Sequence, residues 1–270
     1  MNVLVTGGRG FIGSAVNSWL NKHNHVGHSY DLPNDVRNLD ALVEQTKGMD
    51  AVIHMAGVLG THELFDEVDK AIDVNIRGTA NVLEACHRNG LRFVGITMPQ
   101  VFPSVYTATK VAATRLASAF HYTYGVPVSH VRAFNAFGQG QHHGPSHPQK
   151  IIPTFAVNTW AGVPVPVWGD GTQTVDLIYV DDLGHMLVDA LNHGNDITFD
   201  GGTGVSFSVN ETVEMVARAA GKPATVEYLP MRRGEKPTNI VATGENWNLL
   251  DWRPEFKEQD LIETVSFYNP

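Results

Sequence analysis

Residues 1 to 13, Met-Asn-Val-Leu-Val-Thr-Gly-Gly-Arg-Gly-Phe-Ile-Gly, read as a short apolar strand that runs into a glycine-punctuated turn and then opens a helix. Each glycine has its own task in such a turn. Gly7 lets the chain leave the strand Val3 to Val5 sharply, Gly10 lets backbone amides approach an anion closely, and Gly13 lets the helix lie tightly on the sheet. The pattern describes a cradle for the diphosphate of a dinucleotide at a helix N-terminus, with Arg9, Phe11 and Ile12 inside the turn. A glycine-rich surface turn can share this spelling. The position between a strand and a helix separates the two readings.

Short β-rich runs then alternate with helical spacing. The runs are Asn2 to Thr6, His25 to Tyr30, Ala51 to His54, Arg92 to Ile96 and Pro127 to Arg132; the helical stretches are Gly13 to Lys22, Leu39 to Thr46, Asp66 to Arg88 and Thr107 to Tyr124. Such alternation predicts an α/β fold with a doubly wound parallel sheet and ligands at the carboxyl ends of its strands. Beyond Asn135 the texture changes to glycine, proline and histidine, with isolated strands at Val165 to Trp168 and Val226 to Leu229. A smaller lobe is expected there. The predicted division gives residues 1–134, plus a return to the main sheet at about 174–192, to the dinucleotide domain, and 135–173 with 193–270 to the second lobe.

The 270 residues carry a formal charge of -9, which argues against nucleic acid as a partner, because phosphate-backbone binding requires a basic face. Anionic ligands then need local help, from the helix start after Gly10 and from Arg9, Arg232 and Arg233. No apolar run is long enough to span a membrane, and Met1 leads straight into a strand without a leader, so a cytoplasmic location is expected. The single cysteine, Cys86, sits in a helical pattern, consistent with a reducing compartment. His142, His143 and His147 lie in Gln-His-His-Gly-Pro-Ser-His-Pro without a companion carboxylate or cysteine. A solvated loop is expected there and no metal site.

Two further constellations carry chemistry. Asp31 follows the second strand, where a carboxylate accepts hydrogen bonds from the adenosine ribose and repels a 2'-phosphate, favouring NAD over NADP. Arg9 pulls the other way, and a simple turn at Asp31-Leu-Pro-Asn is the bland alternative. Tyr106 and Lys110 stand four residues apart on one helix face. An ammonium beside a phenol favours phenolate, which predicts a lowered Tyr106 pKa and a usable base near neutrality.

With these motifs in place the chain resembles the extended short-chain dehydrogenase/reductase family, in its group of NAD-dependent nucleotide-sugar epimerases and dehydratases. The resemblance rests on Thr6-Gly-Gly-Arg-Gly-Phe-Ile-Gly13, Asp50-Ala-Val-Ile-His-Met-Ala-Gly57, Asn75-Ile-Arg-Gly-Thr-Ala-Asn-Val-Leu-Glu-Ala85, Tyr106-Thr-Ala-Thr-Lys110, Arg132-Ala-Phe-Asn135, Gly169-Asp-Gly171, Tyr179-Val-Asp-Asp182 and the ending Leu250-Asp-Trp-Arg-Pro254. It implies a Rossmann-type domain with a smaller α/β C-terminal lobe for substrate. Asp35 and Val36 would hold adenine; Met55, Ala56 and Gly57 would border the cofactor, with Asn75 and Ala133 nearby. Tyr106 would be the acid/base and Lys110 its partner. Asn135 would meet the substrate diphosphate, Pro166 and Trp168 the nucleotide base, and Arg232 with Glu235 would clamp the nucleotide. The helices Asn75 to Arg88 and Thr107 to Tyr124 resemble the family's four-helix homodimer interface.

Four departures from the family pattern stand out. Met98 occupies the position of a Ser or Thr that hydrogen-bonds the reacting hydroxyl, and a thioether cannot donate that bond. Thr97 substitutes only if the strand has already twisted into a loop, and Ser104 is the other nearby hydroxyl. Pro99 and Gln100 stand where dehydratases place acidic residues, which leaves elimination chemistry without its second acid/base. Val175 replaces an arginine expected at the diphosphate, and the stretches from Asp31 to Asp35 and from Met98 to Tyr106 are short. The reading is an NAD-dependent epimerase acting on a nucleotide-diphosphate sugar, at carbon 4 of a UDP-hexose. The alternatives are an NAD(P)H-dependent keto-sugar reductase and a cofactor-binding protein with weak or lost catalysis.

Overall fold

The computed structural model describes residues 1–144 and 147–270; Pro145 and Ser146 of the histidine tract lie outside the described residues. The aliphatic runs form strands β1 (Asn2–Thr6), β2 (Val26–Tyr30), β3 (Ala51–His54), β4 (Arg92–Thr97) and β5 (Val128–Ala133), within a residue or two of their expected bounds. Between them lie α1 (Phe11–Lys22), α2 (Leu39–Gln45), α3 (Val68–Ala71), α4 (Gly78–Asn89) and α5 (Val105–Tyr124), with a wide π-helical turn over Ile72–Arg77 joining α3 to α4. The remainder comprises β6 (Asn135–Phe137), α6 (Ile151–Ala161), β7 (Val165–Trp168), β8 (Thr174–Tyr179), α7 (Val180–Asp189), β9 (Asn195–Gly201), β10 (Ser206–Ser208), α8 (Val209–Ala220), β11 (Val226–Leu229) and α9 (Glu258–Phe267).

Six strands make one parallel sheet in the order β2-β1-β3-β4-β5-β9. Alternation along β1 sends Val3 and Val5 to a core shared with α1 and α7, and Leu4 to the opposite core with α2, α4 and the buried part of α5. Both faces are therefore covered, as an all-parallel sheet requires. Strand order reverses at β1, and Thr6 is in register with both Tyr30 and His54. Consequently Gly7, Asp31 and Met55 leave the sheet side by side at its carboxyl edge, the crevice where open α/β sheets take ligands.

The return of the chain differs from expectation. β8 pairs with β6 and β10 in a separate three-stranded sheet, and β9, assigned above to the small lobe, completes the large sheet beside β5. Of the expected return segment, α7 packs on the large domain against α1, where Gly184 allows close approach to Ala15, and Ile178, Ala190 and Leu191 join the same core. The second lobe joins that small sheet and the parallel pair β7-β11 to α6, α8 and α9 through an apolar core around Phe137, Phe155, Val167 and Leu177. No helix among the described residues is long and apolar enough to cross a membrane.

Candidate active site

The glycine turn has the predicted geometry. Gly7 adopts φ +74°, a left-handed conformation that a side chain would strain, and its amide donates to Tyr30 O at 3.0 Å. A Cβ on Gly13 would collide with the Gly7 carbonyl oxygen and the Gly8 backbone, so α1 can approach the turn this closely only with glycine there. The N-terminus of α1 carries neither a capping side chain nor an acidic residue in its first turn, whereas α8 is closed by a full capping box from Ser208 and Glu211. The amides of Phe11, Ile12 and Gly13 therefore remain available to an anion. Asp31 stands at the tip of β2, and both its carboxylate oxygens lie 3.2 Å from the Arg9 amide that donates to them.

Asp35 and Val36 are less open. The Asp35 carboxylate accepts from the Arg37 guanidinium at 2.6 to 3.0 Å, which holds its pKa below the ordinary range through that hydrogen bond. Val36 is buried, its side chain against Gly78, so an adenine contact there would fall to backbone. Asn75, set on the wide π-helical turn, accepts from the Val58 amide at 2.9 Å and donates to Val58 O and Thr109 Oγ1. Its amide is thus fully occupied in fixing the loop Met55 to Gly57 and the start of α5.

Beneath this loop runs a buried polar chain. Thr79 Oγ1 donates to Asn75 O at 2.7 Å, so its single proton is used and His54 Nε2 must be the donor across their 3.0 Å contact. His54 Nδ1 then accepts from Thr6 Oγ1 at 2.7 Å, while Thr6 Oγ1 accepts from the Met55 and Ala56 amides. This bonding needs a neutral imidazole. Burial, with the nearby Lys110 charge acting in the same direction, pushes His54 down to about 3.

Helix α5 is capped by Ser104, whose Oγ accepts from the Thr107 amide, and Tyr106 and Lys110 lie on its first two turns. No hydrogen bond joins the phenol to the ammonium. Burial pushes Tyr106 up to about 12 and Lys110 down to about 8, which corrects the expected lowering of the phenol: desolvation sets the direction of its shift. The buried Lys110 ammonium has no hydrogen-bond partner among the described residues, the condition of a group that awaits ligand hydroxyls.

Hydroxyls around Met98 are arranged differently from expectation. Thr97 remains the last residue of β4, and its Oγ1 lies 3.1 Å from Thr114 Oγ1 on α5, buried one turn beyond Lys110. Thr114 Oγ1 is also 3.0 Å from Lys110 O; its one proton serves only one of these acceptors, and when Lys110 O takes it the Thr97 hydroxyl donates to Thr114. Ser104 is engaged as the α5 cap. Met98 itself receives the Thr107 hydroxyl on its sulfur at 3.9 Å.

Of the residues expected on the substrate side, all but Met98 share one cavity. Asn135, Pro166, Trp168, Arg232 and Glu235 line one cavity of about 230 Å³ between the sheet edge and the small lobe, together with Val175. Arg232 stacks on the Trp168 ring at 4.4 Å and pairs with Glu235 at 2.6 Å. Arg233 instead pairs with Asp66 at 3.0 Å and lies over Phe65. Lys150, which sequence reasoning missed, lines the same cavity just before α6; burial and the Arg232 charge lower its pKa, and Glu63 opposes them. One signal was legible: Lys150 is the only Lys or Arg between Arg132 and Arg218. Ala133 ends β5 beside Gly201, bordering the same edge.

A doubly wound sheet, an uncapped glycine turn and an acidic residue at the second strand tip define a dinucleotide-binding α/β protein, here with a Tyr/Lys pair on the helix that Asn75 ties to the loop after β3. The chain belongs to the NAD dependent epimerase/dehydratase family, whose model matches residues 3–200. It is 28% identical to a UDP-glucuronate 4-epimerase of Thermodesulfobacterium geofontis, over 98% of this chain and 95% of that protein. It is also 27% identical to a dTDP-glucose 4,6-dehydratase of Streptomyces niveus, over 99% and 93%. The UDP-glucose 4-epimerase of Thermus thermophilus, solved with NAD, shares the fold at a TM-score of 0.88 and 24% identity, with 99% of each chain covered. The cofactor is accordingly NAD, and the uncapped α1 amides, Asp31 and the unpartnered Lys110 fit its diphosphate, ribose and second ribose.

Proposed function

We propose that this chain is an epimerase of a nucleotide-diphosphate sugar, inverting carbon 4 of a UDP-hexose. The observation that carries the reading is the pair Tyr106 and Lys110 on the first two turns of α5, with Lys110 near enough to His54 at the carboxyl end of β3 to act on its charge, and no acidic side chain from Met98 to Gln100. When bound, NAD supplies the reversible two-electron acceptor that lets a carbinol pass through a ketone and back.

The residues of this chain do the rest. Tyr106 takes the proton of the sugar hydroxyl as it is oxidised and returns it when the ketone is reduced from its other face. Burial alone pushes its phenol up to about 12, so the phenolate that acts as base has to be drawn out by the Lys110 charge. Lys110, one helical turn away, stabilises the phenolate that takes the proton and that is regenerated when the proton returns, and it orients the ribose. Asn135 and Lys150 face the diphosphate, while Trp168, Pro166 and the Arg232–Glu235 pair hold the base. The helices α4 and α5 would pair with those of a second copy in a four-helix homodimer, and Tyr122 and Tyr124 are exposed at the end of α5.

Purified protein is incubated with the paired glucose and galactose forms of UDP-hexose, UDP-N-acetylhexosamine and UDP-hexuronate, and products are resolved by NMR. Interconversion of one pair supports the reading; failure with all three defeats it. Met98 favours one other reading, a cofactor-binding protein with weak catalysis, which predicts that Tyr106→Phe changes no measurable rate.

A further inference from the structure

We propose that the far end of α1 carries a binding site for a divalent transition metal of the zinc type, formed by His23, His185 and Asp189. Each offers one ligand atom, and these atoms all lie within 4.8 Å of one another. His185 and Asp189 are one turn apart on α7, with His185 Nε2 3.4 Å from Asp189 Oδ2, and His23 is the C-cap residue of the neighbouring α1. No sequence motif joins positions 23, 185 and 189. Only the packing of α1 on α7, through Ala15 and Gly184, brings them together.

The surroundings hold the ligand groups as a metal site requires. The His185 ring lies between two indoles, 3.7 Å from Trp19 and 4.2 Å from Trp252, inclined by 6° and 5°, which leaves it little freedom to turn. Trp252 Nε1 donates to Asp189 Oδ2 at 2.6 Å, the kind of outer hydrogen bond that orients a ligating carboxylate. His23 sits 5.5 Å from His185 between ring centres and is exposed, so its imidazole can swing inward. Both α1 and α7 end here, and two helix C-termini favour a cation. The neighbouring Lys22 ammonium is drawn to the Trp19 ring at 3.8 Å and to Asp181 at 3.7 Å.

Two imidazoles and one carboxylate select zinc and its neighbours over magnesium or calcium, which take oxygen ligands, and water would complete the coordination. The cluster lies at the opposite end of α1 from the glycine turn, about 18 Å along the helix. The ion would therefore act as a clamp, tying α1, α7 and the C-terminal segment that carries Trp252.

The test uses tag-free full-length protein titrated with Zn²⁺, and with Co²⁺ as a spectroscopic reporter. One equivalent should bind, Zn²⁺ should raise the melting temperature, and Co²⁺ should quench the fluorescence of the indoles stacked on His185. His23→Ala, at an exposed position, should weaken binding on the order of tenfold or more while leaving the metal-free melting temperature and the basal activity unchanged. Asp189→Asn should weaken it as well. The proposal is overturned if wild type binds no Zn²⁺ saturably, if both variants bind as wild type does, or if His142→Ala/His147→Ala removes the binding instead.

Discussion

The Thr107 hydroxyl lies 3.9 Å from the Met98 sulfur, so the neighbourhood where relatives are expected to present a Ser or Thr hydroxyl is filled by a thioether that is itself a weak acceptor. The two nearby hydroxyls already have partners. Thr97 is paired with Thr114, and Ser104 is the cap of α5. Replacing Met98 by Ser should therefore raise kcat on the order of tenfold, since a positioned donor at the reacting oxygen contributes at least that much. Steady-state kinetics on the best substrate checks it, and an unchanged kcat would mean that another group already does this work.

Gly13 tests the cofactor cradle. A methyl group there meets the Gly7 carbonyl and the Gly8 backbone, neither of which can yield without moving the turn. Gly13→Ala should cost about 1–3 kcal/mol of stability and abolish measurable NAD retention. Thermal melting and NAD titration report the two effects, and a variant that binds NAD normally would contradict the cradle.

Asp31 offers a test of the preference for NAD over NADP. With its carboxylate fixed by the Arg9 amide, its loss removes charge-assisted bonds worth about 1.5–3 kcal/mol to the ribose and removes the repulsion of a 2'-phosphate. Asp31→Ala should weaken NAD roughly tenfold or more and narrow its preference over NADP. Equal losses for both cofactors would show that Asp31 acts only on the turn.

Acid should destabilise the fold through two histidines. Burial pushes His54 down to about 3 and His130 down to about 4, with Lys110 adding to both, whereas in the unfolded chain each titrates near 6.5. Between those values the unfolded state binds more protons, so stability rises with pH across that window, is complete above about 6.5 and is lost as pH falls. Each contributes a slope of up to about 1.4 kcal/mol per pH unit. Melting temperatures from pH 7 down to 4.5 should fall progressively, and His130→Gln should flatten the curve; a flat wild-type profile would refute the assignment.

Most of the large sheet was legible because its strands are short runs bounded by turns, most of them rich in β-branched residues, and the glycine turn was legible because the left-handed Gly7 and the tight packing at Gly13 leave only glycine there. β9 was not, since Asn195–Gly201 carries Asp196 and Asp200 between glycines and spells a turn. Asp200 is buried there only because Thr243, Glu245 and Arg132 bond it from distant parts of the chain. The site divided in the same way. Residues set by one turn or one helix face, such as Gly7, Tyr106 and Lys110, could be named from spacing. Lys150, the engagement of Asn75 with Val58 and the His23–His185–Asp189 cluster depend on which elements meet, and a desolvation shift such as that of Tyr106 depends on the volume packed around it.

The central claim is tested most directly with the UDP-hexose that the protein interconverts, labelled with deuterium at the carbon inverted, using wild type and Tyr106→Phe. Internal oxidation and reduction predicts that the wild-type product keeps the deuterium at that carbon and that Tyr106→Phe slows its formation by about 10²–10⁴ while still binding NAD. Loss of the label to solvent, or a Tyr106→Phe enzyme as fast as wild type, would contradict the account.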